Sequence, residues 1–185
     1  MVPVTALWLP ILVSAVFVFI ASSVIHMMLP IHRNDWNRVP EEDKFLDAMR
    51  SFGLPPGDYC APRANAPSDM KDPAFAAKMK RGPIVMMTVR PGSDFSMGPK
   101  LAQWFVFAAV VSLFAGYIAG AALAPGAEYL EVFRFAGTTA FVAYTMAFYP
   151  QSIWYERAWS MQAKNTFDGL VYALLTAGVF GWLWP

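Results

Sequence analysis

The side chains able to do chemistry in this chain are few: two histidines, one cysteine and thirteen acids among 185 residues. His26 lies near the end of an apolar stretch, where an ionisable group is a functional candidate by default. So close to the end, its polar tip also reaches interfacial water, which is the plainer reading. His32, Asp35 and Trp36 follow Pro30 as a dense polar group. One reading is a metal or proton site. The other is an anchor at headgroup depth, where Trp and basic residues belong, and the composition favours it. With two histidines, no nearby cysteine and no His-x-x-x-His spacing, no metal is expected. No other cofactor is expected either: a second apolar stretch with a histidine, a phosphate-binding loop, a dinucleotide fingerprint and a Gly-x-Ser-x-Gly elbow are all missing.

Asp168 is the one acid inside an apolar stretch and so a candidate proton-relay carboxylate. Asn165, three residues earlier, offers the alternative. As an N-cap it would place Asp168 at the third helical position, the pattern of a capping box, and this is the preferred reading. Glu156 and Arg157 sit in a Trp- and Tyr-rich connector, as a lipid-headgroup contact, as a pair with the polar insertion or, the preferred reading, simply solvated. Tyr144, Thr138 and Thr139 read as interhelical hydrogen-bonders. Cys60, alone, excludes an internal disulfide and a multi-thiolate metal site.

The elements that must position these groups are apolar and long. The composition is 57% hydrophobic and 15% charged, above the apolar share of an ordinary soluble domain. Pro10 to Leu29, Leu101 to Leu123, Val132 to Tyr149 and Thr166 to Trp184 read as four membrane-spanning helices, since about 20 apolar residues cross a bilayer core. MVPVTALW has no basic n-region, so the first is expected to be an uncleaved span. In the second, Ala108, Ser112, Gly116 and Gly120 recur at every fourth position on one helix face. That row is a groove for close helix packing, within the chain or with a second copy. The fold class expected is therefore an all-α membrane protein: helix 1 in residues 1–30, a polar insertion over 31–100, and helices 2–4 in 101–185.

The insertion carries eleven of the fourteen Lys and Arg residues; the connector after the third helix carries Arg157 and Lys164. The positive-inside rule then puts both of these loops in the cytoplasm and both termini outside. Within the insertion, helices are expected after Pro40 and Asp72, a turn at Pro55-Pro56-Gly57-Asp58, and one strand, Ile84–Val89, without a partner. A net charge of +1 gives no field for nucleic acid.

Five segments carry a resemblance: His32-Arg33-Asn34-Asp35-Trp36, Pro56-Gly57-Asp58-Tyr59, Gly82-Pro83-Ile84-Val85, Met97-Gly98-Pro99-Lys100, and the tail from Phe167 to Pro185. Together they resemble a family of short bacterial integral membrane proteins without an assigned activity. The resemblance implies a bacterial cytoplasmic-membrane setting and no catalytic residue. Three functions fit: an accessory or structural subunit assembled through small-residue packing, a small oligomeric transporter or channel, or a membrane-embedded enzyme using Asp168 or His26. The packing row is the most specific feature, so the first is preferred. Membrane lipid, and further copies or a larger complex, are the expected partners.

Overall fold

The computed structural model describes every residue except Phe95. The chain is mostly helical and divides into two compact units, Met1–Trp36 with Ser96–Pro185, and Asn37–Phe95. His32, Asp35 and Trp36, read from sequence as part of the insertion, fold with the helical unit.

The helical unit contains α1 (Trp8–Ser23), α4 (Gly98–Ala122), α5 (Tyr129–Thr145), the short α6 (Tyr149–Trp154) and α7 (Trp159–Trp182). Two stretches are long and apolar enough to cross a membrane: Val4–Met28, with mean hydropathy 2.5, and Gly98–Ala122, with 2.1. The other two expected spans do not pass that test, for separate reasons. At 17 residues with Glu131 and Arg134 in its first turns, α5 is short and charged. The first half of α7 carries Gln162, Lys164, Asn165 and Asp168.

Small residues decide how these helices meet. Ala108, Ser112, Gly116 and Gly120 are all buried, and their partners come from the same chain. Gly116 faces Phe180 of α7 and Ile11 of α1, while Gly120 lies under Val2 and Leu7. The row is therefore filled from within, and the feature behind the expected self-association is already used. A second fourfold row, Gly169, Ala173, Ala177 and Gly181, runs along α7. Gly137 of α5 faces Ala177, and Gly169 and Gly181 face Thr145 and Tyr129 of α5. Contacts this close supply the van der Waals attraction that holds helices together where hydrophobic drive is lacking.

The two termini and the α4–α5 turn meet at one end of this unit. Val2 N donates to Gly120 O (2.8 Å), Gly126 N to Pro185 O (2.7 Å) and Trp184 Nε1 to Ala124 O (3.0 Å). α1 runs from that end to the opposite one, where Val24–Met28 loosens into a π-helical turn with Leu29 N bonded to Val24 O (3.1 Å). Such turns are rare and concentrate at functional sites. Pro30 then opens a 3₁₀ turn, Pro30–His32.

The second unit holds α2 (Glu42–Ser51), β1 (Gly57–Ala61), α3 (Pro73–Arg81) and β2 (Val85–Val89). Two expectations change here. The strand has a partner: β1 pairs antiparallel with β2, from Gly57 opposite Val89 to Ala61 opposite Val85. Gly57 and Asp58 thus belong to a strand, and the turn ends at Pro56. Asp72 caps α3 as expected, its Oδ1 accepting from Ala74 N (2.8 Å). No described residue of this unit is buried, so it has no apolar core of its own.

Candidate metal centre

The end of the helical unit away from the termini gathers five ionisable side chains from three parts of the chain. His26 comes from the π-helical turn, His32 and Asp35 from the turn after Pro30, and Lys164 and Asp168 from α7. Asp168 is at the centre. Its Oδ2 is 2.9 Å from His32 Nε2 and 3.8 Å from His26 Nε2, and its side chain is 5% exposed.

The capping reading of Asp168 is overturned. α7 begins at Trp159 with Ala158 as N-cap, so Asn165 and Asp168 lie in the helix interior. A carboxylate there offsets no free N–H group. Its remaining oxygen, Oδ1, has no hydrogen-bond partner among the described residues. The anchor reading of His32 changes too: its side chain is 11% exposed. His26 is half-exposed and keeps its reach to the surface, yet its ring stacks on His32 with centroids 4.3 Å apart and planes 6° from parallel.

The outer hydrogen bonds fix a proton on one nitrogen of each ring. Asp35 Oδ2 lies 2.6 Å from His32 Nδ1, and Lys164 Nζ donates to Asp35 Oδ1 (2.5 Å). Burial pushes the Asp35 carboxyl up, but hydrogen bonds from Lys164 and His32 and the charges of both outweigh it, holding the group below its usual value. It is an ionised acceptor, so His32 Nδ1 is the N–H donor. Ser22 O, a carbonyl 3.1 Å from His26 Nδ1, makes that nitrogen a donor in the same way. In both rings Nδ1 is thus committed as a donor, and Nε2 is the nitrogen left near Asp168. His32 Nε2 has no aligned hydrogen bond among the described residues, although Asp168 Oδ2 is 2.9 Å away.

Aromatic rings pack together one helical turn along α7 from Asp168. Tyr172, one turn beyond Asp168 on α7, meets Tyr144 of α5 edge-on at 5.4 Å and Trp104 of α4 at 6.0 Å. Trp104 Nε1 donates to Ser22 Oγ (2.8 Å), tying α4 to the end of α1, where Ser22 O meets His26. Tyr144 does not bridge helices as read from sequence: its hydroxyl, like that of Tyr172, is buried without a partner among the described residues. Thr139 bonds within its own helix, to Phe135 O (2.8 Å).

Glu156 and Arg157 take no part in the centre. Glu156 is exposed with a left-handed backbone (φ 51°), and the Arg157 guanidinium lies 5.4 Å over the Trp36 ring. The sequence reading missed Lys164, Ser22, Trp104 and Tyr172. For Tyr172 a signal existed, because it follows Asp168 by four residues and so shares its helix face. No protein-family model, curated protein or solved structure matches the chain.

Proposed function

We propose that this chain is a multi-pass protein of the bacterial cytoplasmic membrane and that its activity resides in the His26–His32–Asp168 centre, as a membrane-embedded enzyme. The observation that carries this reading is Asp168: a carboxylate in a helix interior, 5% exposed, with imidazole nitrogens 2.9 and 3.8 Å from it. Ionisable groups held at such a cost in a membrane helix mark functional sites. Four spanning helices are supported by exposed apolar side chains on every long helix: Leu12 and Ile20, Phe114 and Tyr117, Phe135 and Val142, Leu170 and Leu174. Lipid would cover them. Exposed Trp8 and Trp182 near one end, and Trp36, Trp154 and Trp159 near the other, suit the two interfaces. With Lys and Arg concentrated in residues 31–100, the centre lies toward the cytoplasm and the termini outside.

An accessory subunit is the second reading. It is favoured by the unit Asn37–Phe95, where Phe45, Phe52 and Met70 are exposed and nothing described is buried. Complementation of a host strain lacking the chain separates the two. For an enzyme, an Asp168→Asn copy that inserts and folds fails to restore wild-type growth, and the wild type purifies in mild detergent without stoichiometric partners. Full restoration by Asp168→Asn, with a stoichiometric partner retained, would establish the accessory subunit instead.

A further inference from the structure

We propose that His26, His32 and Asp168 bind a divalent transition metal, with zinc the best-suited ion; the inference rests on the same centre as the proposed activity and names its cofactor. Two neutral imidazoles and one carboxylate are a set that zinc takes in catalytic sites, where three protein ligands leave a fourth position for water or substrate. The three ligating atoms lie within 4.8 Å of one another. Tetrahedral zinc with bonds of about 2.0–2.2 Å holds its ligand atoms roughly 3.3 Å apart. The distances from Asp168 Oδ2, 2.9 Å to His32 and 3.8 Å to His26, bracket that value.

The hydrogen-bond pattern points the same way. Both Nδ1 atoms donate outward, one to Asp35 and one to Ser22 O, so Nε2 is the nitrogen that each ring has left for an ion near the carboxylate. A carboxylate or a backbone carbonyl on the far nitrogen is the outer-shell arrangement that orients metal-binding histidines and raises their basicity. A dication would engage both Nε2 atoms together with the carboxylate, and it does not require His32 Nε2 to be aligned on Asp168 Oδ2, which it is not.

The stacked rings set an order among the ligands. Lone pairs of parallel rings do not converge, so one ring must turn to share an ion. His32 is fixed by Asp35, which is itself fixed by Lys164. His26 is half-exposed, is held by a single bond to a backbone carbonyl, and sits in a loosened π-helical turn. His26 is therefore the ring that turns, and the weaker ligand of the two.

The test uses full-length protein in detergent, stripped with chelator and titrated at constant pH. Zinc chloride is followed by calorimetry and cobalt(II) by its visible absorption. The proposal expects one metal per chain at micromolar affinity or tighter, with the intense visible bands of four-coordinate cobalt. His32→Ala and Asp168→Asn should each weaken binding at least 100-fold, and His26→Ala less. Asp35→Asn, which leaves all three ligands in place, should weaken it about 10- to 100-fold. Circular dichroism establishes that each variant is folded, and the wild-type titration alone can refute the idea. Wild-type protein without saturable one-to-one binding, or unchanged affinity in folded His32→Ala and Asp168→Asn, would overturn it. Absent binding alongside failed complementation by Asp168→Asn would reject the metal and leave the enzyme reading standing.

Discussion

A single methyl group added at Gly169 tests whether helix packing sets the geometry of the centre. A Cβ there would lie 2.3 Å from Thr145 Cγ2 and 3.3 Å from Tyr144 Cβ. The first distance is about 1 Å short of ordinary contact in a close-packed interior. Thr145 cannot swing away freely, because its Oγ1 donates to Phe141 O (2.6 Å) and the residue is fully buried. Either that bond breaks or α7 moves off α5, carrying Asp168 with it. Overpacking costs about 1–3 kcal/mol and the lost hydrogen bond about 1 kcal/mol. Gly169→Ala should then lose about 2–4 kcal/mol, seen as a melting point lower by about 4–16 °C for a chain of this size. Thr145→Ser removes the colliding methyl and keeps the hydroxyl. Alone it should cost about 1 kcal/mol, yet combined with Gly169→Ala it should restore most of the loss, a coupling of about 1–3 kcal/mol. Gly98→Ala adds the same methyl where nothing lies within 4 Å, and should be neutral or stabilising by up to about 1 kcal/mol. Thermal unfolding by circular dichroism, in one detergent for all four variants, reads the cycle. Strictly additive effects of the two substitutions would refute the packing argument.

Three further outcomes are expected. Gly120→Ile should disrupt the fold, because even a Cβ would lie 2.5 Å from the Val2 carbonyl oxygen, whereas Val110→Ile, on an exposed face, should melt as the wild type does. An isolated fragment of residues 37–95 should show no cooperative thermal transition, since none of its described residues is buried; a sharp transition would reveal a core that the intact chain lacks. In intact cells, a cysteine placed at Lys78 should resist an impermeant thiol reagent and one at the C-terminus should react, while the reverse pattern would invert the proposed topology.

The features legible in the sequence are those set by neighbours along the chain. A small residue at every fourth position of α4 is a local pattern, and all four members are buried. Which surface covers them is not local, so one row served equally well for a second copy and for Phe180 and Val2 of the same chain. Asp168 was misread for a related reason. Asn165 followed by Asp168 is a sound capping pattern, and only the start of α7 at Trp159, within what reads as an aromatic connector, places both in a helix interior. The centre stayed hidden because metal spacing rules look for ligands on one element. Here His32 and Asp168 come from opposite ends of the sequence, and the π-helical turn that brings in His26 has no sequence signature. β1 was lost behind Pro55-Pro56, which reads as a turn two residues too long.

Histidine ring-nitrogen NMR measures the central claim directly, because the chain has only two histidines. In metal-free, ring-labelled protein held at pH 8, both rings should carry their proton on Nδ1. Asp168→Asn should shift the Nε2 resonance of both, His32 more than His26 in keeping with 2.9 Å against 3.8 Å. Nε2-protonated rings whose resonances ignore the Asp168 substitution would contradict the account.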